Sequence, residues 1–378
     1  MRLAVVARGL PELADPTLGR FEVDQALALA GAGHQVVVVA LDVRSARRGR
    51  RLGRYTTQVE GLPAVVVSLP VGAVGPRGTE LALRLAWRLA RRSLRGLLGG
   101  DPDLVHAHFS RFGSAVRRGL RDRYRLVVTE HSSRFGQELS PGEDAVARRA
   151  YAAADAVVAV SPWLAQRLQQ DYQVPARVVA DVVDVDAFRS VRPERPPGSP
   201  ARLVSAAFFT PRKRLPLLGQ GYALARPELD ATLTVIGEGP DRAAIEAVAV
   251  PGVELTGALP RSRVAEELAR ADGFVLLSEF ETFGVVYAEA MASGLPVLAS
   301  RCGGPEGFVN DDVGVLTDAS TPEQVAEELR RFVGSLGDYD PEIIRAYART
   351  RFAPEVVAQE LTKIYRELLD GPQRDSRR

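Results

Sequence analysis

The chain has 378 residues and a single cysteine, Cys302, so no disulfide can form within it, and its thiol usage fits the cytosol. Lysine is almost missing: of 49 basic residues only Lys213 and Lys363 are lysines. Where arginine has displaced lysine nearly everywhere, a surviving lysine is a candidate for a position that wants a compact ammonium. There is no apolar run long enough to cross a bilayer, and no low-complexity tract or short repeat despite 34 glycines and 25 prolines. Residues 1–10, MRLAVVARGL, lack a long hydrophobic region and a cleavage site, and read as a first strand rather than a signal peptide.

What is present is an apolar chain, 46% hydrophobic, of a length that suits two or three domains. The net charge of +2 hides an asymmetry. Residues 1–187 hold 26 basic and 19 acidic residues, while the remainder holds 23 and 28. The basic half is a candidate for meeting an anionic surface or acceptor. The basic residues follow a helix face without interleaved aromatics, which argues against nucleic acid.

The densest signal runs from Ser278 to Ser300. Gly273–Leu277 reads as a buried strand, Ser278–Thr282 as a polar turn, Gly284–Ala292 as a helix, and Pro296 onward as another buried strand. Glu281 lies in the turn and Glu289 on the helix, with seven residues between them. The unpaired N–H groups of Phe283, Gly284 and Val285 at the helix start would attract a phosphate, and Gly284 allows close approach. Glu281 would accept from sugar hydroxyls, and Glu289, two turns on, from a ribose diol. A sugar, a diphosphate and a ribose in a row describe a nucleotide sugar.

From Glu281 to Val297 the residues Glu-Thr-Phe-Gly-Val-Val-Tyr-Ala-Glu-Ala-Met-Ala-Ser-Gly-Leu-Pro-Val resemble the E-x(7)-E signature of the large retaining glycosyltransferase family 4. Other stretches resemble the same family. These are Asp103-Leu-Val-His106-Ala-His108, Thr129-Glu-His131, Gly237-Glu-Gly-Pro240, Val253–Pro260 and Arg301–Glu306. The resemblance implies the GT-B fold: two Rossmann-like α/β domains facing across a cleft. Their expected limits are 1–190, for the acceptor, and 201–352, for the nucleotide sugar. A proline-rich linker at 192–200 joins them, and a terminal helix, 353–370, crosses back to the first. Residues 371–378 are expected to fray.

It also implies roles. Gly19, at the first loop–helix junction, would lie against the donor diphosphate. His131 would face the donor sugar. Lys213 falls on the family's diphosphate-clamping lysine. The clamping arginine is replaced by Phe208, so Arg212 or Arg214 would have to supply the second charge. Gly237 and Thr282 would lie near the nucleotide, and the backbone around Leu259 would read the base. Asp181-Val-Val-Asp184 resembles the family's N-G-V-D turn, with Asp181 in place of Asn. His106 and His108 share one side of a strand, as a metal pair would, but no carboxylate or cysteine completes a site. The resemblance implies no metal and no cofactor.

The implied reaction moves a hexosyl group, with retention, from a UDP- or GDP-sugar to an acceptor hydroxyl in polysaccharide or envelope glycoconjugate synthesis. Secondary-metabolite glycosylation, a catalytically silent sugar-nucleotide-binding relative and a nucleotide-sugar epimerase are the alternatives. Residues 44–54 read as a solvated basic loop. Thr79–Leu98 reads as a helix with Arg84, Arg88, Arg91, Arg92 and Arg95 on one face. That face admits either a solvated surface or a peripheral contact with the inner membrane and a lipid-linked acceptor. The expected location is the cytoplasm.

Overall fold

The computed structural model describes residues 1–11, 18–43, 52–71, 74–117, 124–136, 139–188, 196 and 198–371. The chain divides into two compact units, Met1–Val182 together with the chain from Pro354 onward, and Val183–Ala353. Most of the basic loop 44–54, most of the linker 192–200 and the terminal residues after 371 lie outside the described residues.

The first unit is built on eight strands: β1 (Arg2–Ala7), β2 (Gln35–Asp42), β3 (Gly53–Val59), β4 (Leu62–Ser68), β5 (Leu104–His108), β6 (Arg125–Glu130), β7 (Ala156–Ala159) and β8 (Ala176–Val178). Their order in the sheet is β3-β4-β2-β1-β5-β6-β7-β8. Every pairing is parallel except β3 with β4. Runs such as Val36–Leu41 are apolar on both faces because a parallel sheet is covered on both. β3, the antiparallel edge, is mostly exposed and correspondingly polar.

The terminal helix Pro354–Asp370 belongs to this unit. Its Val357, Ala358, Leu361, Ile364 and Tyr365 enter one core with Leu3, Val5, Val38 and Leu104. Their spacing, at 357, 358, 361, 364 and 365, is the apolar stripe of an amphipathic helix.

The second unit holds β9 (Ala201–Ala206), β10 (Ala231–Ile236), β11 (Val253–Gly257), β12 (Gly273–Leu276), β13 (Val297–Ser300) and β14 (Gly314–Thr317). The order is β11-β10-β9-β12-β13-β14, all parallel, which is the doubly wound Rossmann arrangement. The sequence groups residues 183–188 with the first domain, but they are tied here to the second unit. The Val183 N–H donates to Phe352 O at 2.8 Å, and Asp186 pairs with Arg349. β9 stops at Ala206. Ala207–Phe209 instead run against the backbone of Gly237 and Gly239.

Candidate active site

In each sheet the strand order reverses once, between β1 and β5 in the first unit and between β9 and β12 in the second. Open α/β sheets bind ligands at such switch points, beyond the carboxyl ends of the strands. The residues singled out in the sequence gather at these two places.

In the second unit the loops after β9 and β12 meet at Glu281. This carboxylate is only 6% exposed. Lys213 pairs with its Oε1, and Arg212 Nη1 reaches Oε2 at 2.9 Å. The Ser278 hydroxyl donates to Oε1 at 2.7 Å. Arg212 also donates to the Phe280 carbonyl, and its own carbonyl accepts from the Glu279 N–H at 2.7 Å. Burial opposes the charge on Glu281, but Lys213 and then Arg212 outweigh it and hold the carboxyl below its usual range. The loop is pinned on its other side as well. The Glu281 N–H donates to Cys302 O at 2.9 Å, and its carbonyl accepts from Gly304 N–H at 2.8 Å. The Cys302 thiol is buried and pushed up to about 12, so it stays protonated and unreactive.

The helix Val285–Ala292 starts directly after this loop. Gly284 caps it with φ 87°, and a Cβ there would lie 2.7 Å from the Tyr287 ring, so only glycine fits. Thr282 and Phe283 are buried beside it. Glu289, two turns on, lies 3.5 Å from Arg261. Gly237 has φ 140°, and a Cβ would meet Ala207 O at 1.9 Å, so a backbone crossing already requires this glycine. Leu259 is half-buried after β11. Of the two candidates for the second charge, Arg212 stands beside Lys213 on Glu281. Arg214 points elsewhere, 3.8 Å from Glu279. Phe208 is 66% exposed.

In the first unit the corresponding groups are histidines and arginines. His131 is buried with both ring nitrogens engaged. Nδ1 faces Asp181 at 2.9 Å and Nε2 faces His108 Nδ1 at 2.8 Å. Burial opposes protonation of His131, but the Asp181 charge prevails and its pKa is raised. Burial drives His108 the other way, well below its usual value. The Asp181 carboxylate thus favours the charged form of His131, which can donate from Nδ1 to Asp181 and from Nε2 to His108. Among the described residues His108 Nε2 has no hydrogen-bond partner. His106 bonds Tyr365 at 2.6 Å and Thr129 at 2.5 Å, and burial lowers its pKa to about 3. Its nitrogens are thus spent on holding the terminal helix to β5 and β6. Among the described residues no group of three or more metal-ligating side chains comes together.

Gly19 caps the first helix, Arg20–Gly31, with φ 70°, and a Cβ would fall 2.1 Å from Gly9 O. Beside it Glu22 is fully buried and paired with Arg8 at 2.9 Å. The sequence reading missed Asp181 as the partner of His131, and it missed Ser278, Arg8 and Glu22. For Asp181 a signal existed: a charged residue stands where an amide is usual.

The family model described as Glycosyltransferase Family 4 matches residues 18–187, and that of Glycosyl transferases group 1 matches residues 200–335. A GDP-mannose-dependent alpha-mannosyltransferase of Mycobacterium tuberculosis is 30% identical over 298 residues, covering 74% of each chain. The N-acetyl-alpha-D-glucosaminyl L-malate synthase of Bacillus anthracis is 32% identical over 181 residues, 44% of this chain and 45% of that enzyme. Among solved structures, sucrose-phosphate synthase from Thermosynechococcus elongatus superposes with a TM-score of 0.77 at 18% identity, covering 97% of this chain and 99% of that one. Two Rossmann-like units, matches to both family models and a relative aligned over three quarters of its length lead to one assignment: the chain belongs to glycosyltransferase family 4 and has the GT-B fold.

Proposed function

We propose that the protein transfers a hexosyl group, with retention of configuration, from a nucleotide diphospho-sugar to an acceptor hydroxyl. The observation that carries this reading is the pair of cations, Lys213 and Arg212, held on Glu281 at the switch point of the second sheet. A leaving diphosphate gains negative charge as the glycosidic bond breaks. Two preorganised cations and the first-turn N–H groups of the helix Val285–Ala292 would stabilise it without reorganisation. Glu281 fixes both cations and positions the sugar, and Glu289 holds the ribose diol. The leaving phosphate takes the acceptor proton, and no enzyme nucleophile is needed. GDP-mannose is the first donor to try, because it is named for the mannosyltransferase relative.

The test is a thermal-shift screen of the full chain against UDP-, GDP-, ADP- and dTDP-sugars, with Glu289→Ala as control. At a ligand concentration of 100 times Kd, one donor should add about 2.7 kcal/mol of stability, and the variant should lose it. A product of inverted configuration would overturn the retaining part of the reading. Exposed Phe208, in place of a clamping arginine, favours a second reading in which the protein binds donor without turning it over. Transfer or hydrolysis of any bound donor rules that out.

The acceptor in this reading is presented at an anionic membrane. On the helix Pro76–Leu98, Leu81, Leu85 and Leu89 are exposed at 70%, 51% and 39%, beside exposed Arg88, Arg92 and Arg95. Outward leucines flanked by arginines suit an interfacial helix. Replacing Arg88 and Arg92 by Gln should abolish sedimentation with phosphatidylglycerol vesicles. Unchanged sedimentation removes this element.

A further inference from the structure

Phe109 follows β5 at the switch point of the first sheet. It has φ 67° and ψ 140°, a conformation that bulky residues avoid. The surrounding bonds impose it. Its N–H donates to Thr129 O at 2.7 Å, and its carbonyl accepts from the N–H groups of Phe112 and Gly113, both at 3.1 Å. Strain held in this way clusters at functional sites. Two guanidinium groups meet the ring so placed, Arg8 at 4.6 Å from its centroid and Arg111 at 6.0 Å. Arg111 also lies over Phe112, at 4.9 Å.

Arg111 is exposed, and its near charges are Arg8, Glu130, Glu22 and Arg134. Neither carboxylate is available to it. Glu22 is taken by Arg8 through Nε and Nη2. Glu130 accepts from the N–H groups of Ser110, His131 and Ser132 and from the Tyr151 hydroxyl. Arg134 is itself paired, with Glu143. Among the described residues, then, Arg111 is a guanidinium without a carboxylate, and Arg8 keeps Nη1 outside its pair. Two planar forks on one aromatic ring, with one of them uncompensated, recognise a flat or tetrahedral oxyanion.

We infer that Arg111, with Arg8 on the shared Phe109 ring, binds an anionic group of the acceptor, a phosphate or a carboxylate carried near the hydroxyl that is glycosylated. The inference rests on the proposed transferase reading and names its acceptor class. The positive charge comes from the side chain, and the bidentate contact sets the acceptor's orientation. A neutral sugar of the same shape would leave Arg111 unpaired and bind more weakly.

The experiment titrates the full chain calorimetrically with glycerol 3-phosphate and with succinate, using glycerol as the neutral control. Vesicles of phosphatidylglycerol form a separate arm read by sedimentation. Wild type should bind at least one soluble oxyanion saturably and glycerol not at all. Arg111→Gln should weaken that binding tenfold or more, and Arg111→Lys should weaken it less, because the charge remains but the fork is lost. Binding to vesicles alone, lost in Arg111→Gln, would also support the inference and identify a lipid headgroup as the source. No binding in either arm, or binding indifferent to Arg111→Gln, overturns it. The nucleotide-sugar thermal shift is recorded on the same variants and should not change. A wild-type donor shift without oxyanion binding defeats this inference alone. Absence of the donor shift defeats the transferase reading whatever the oxyanions do.

Discussion

The two sheets offer the same topological address and furnish it with opposite chemistry. In the second unit the switch point holds a buried carboxylate, Glu281, with two cations locked onto it. In the first it holds three histidines in contact, an aspartate and Arg111, which has no carboxylate partner among the described residues. One site is set by a buried carboxyl that its neighbouring cations hold below the usual carboxylate range. The other is set by groups whose proton occupancy depends on their neighbours. Fold alone therefore does not decide what a switch point does; the side chains at the strand ends do.

Four experiments sharpen or break that contrast. Both tryptophans, Trp87 and Trp163, and all four histidines lie in the first unit. Tryptophan fluorescence therefore follows that unit, while circular dichroism follows both. The largest effect should come from Glu281→Gln, which leaves the half-buried Lys213 and Arg212 without their counter-charge. The expected loss is about 3 kcal/mol, the upper end for a charged hydrogen-bonded group whose partners stay partly solvated. It should appear in circular dichroism with the fluorescence transition unmoved, and a matching fluorescence shift would mean the units do not unfold separately.

Acid should produce the next effect, and on the other unit. Unfolded His106 binds its proton near pH 6.5, whereas the folded value is about 3. Its stabilisation is present above pH 6.5 and lost as pH falls toward the folded value, about 2 kcal/mol by pH 5. His34 and His108 are lowered too and act in the same direction. Denaturant midpoints by fluorescence should fall from pH 7 to 5, and a flat profile would contradict the buried neutral histidines.

His131 runs the opposite way, and Asp181→Asn isolates it. Its raised pKa gives stability that is complete below about pH 6.5 and is lost as pH rises through the folded value. The asparagine should cost about 1.5 kcal/mol at pH 6 and flatten the fluorescence-monitored profile between pH 6.5 and 8. An unchanged alkaline limb would break the Asp181–His131 assignment. The smallest effect is a gain. Phe208→Arg should raise turnover about tenfold by adding a third cation near the diphosphate. A rate unchanged in that variant would mean Arg212 already fills the role.

Much of the second unit was legible in the sequence. Its strands are apolar on both faces, and Gly284 and Gly294 bracket a short helix whose limits can be counted. The pairing of Lys213 with Glu281 was not legible, because 68 residues separate them and only the sheet order brings them together. The same holds for His131 and Asp181, 50 positions apart in the chain. Hydrophobicity alone would extend β9 to Phe208. The crossing of Ala207 over Gly237, a backbone contact without a side-chain signature, stops it at Ala206. Along the basic helix, the sequence shows the arginine face but not that Leu85 and Leu89 are exposed beside it. Depth in the fold, which periodicity does not encode, leaves them outward.

The terminal helix has a consequence for how the protein is made. Val357, Leu361 and Tyr365 complete a core begun by Leu3 and Val5, and Tyr365 hydrogen-bonds His106. A ribosome delivers Leu3 well before Tyr365, with the whole second unit made between them. The amino-terminal unit must wait, with part of its core open, while the second unit, contiguous from Val183 to Ala353, emerges with all its strands and can close ahead of it. The unit that is interrupted in sequence can close its core only after the other has been made.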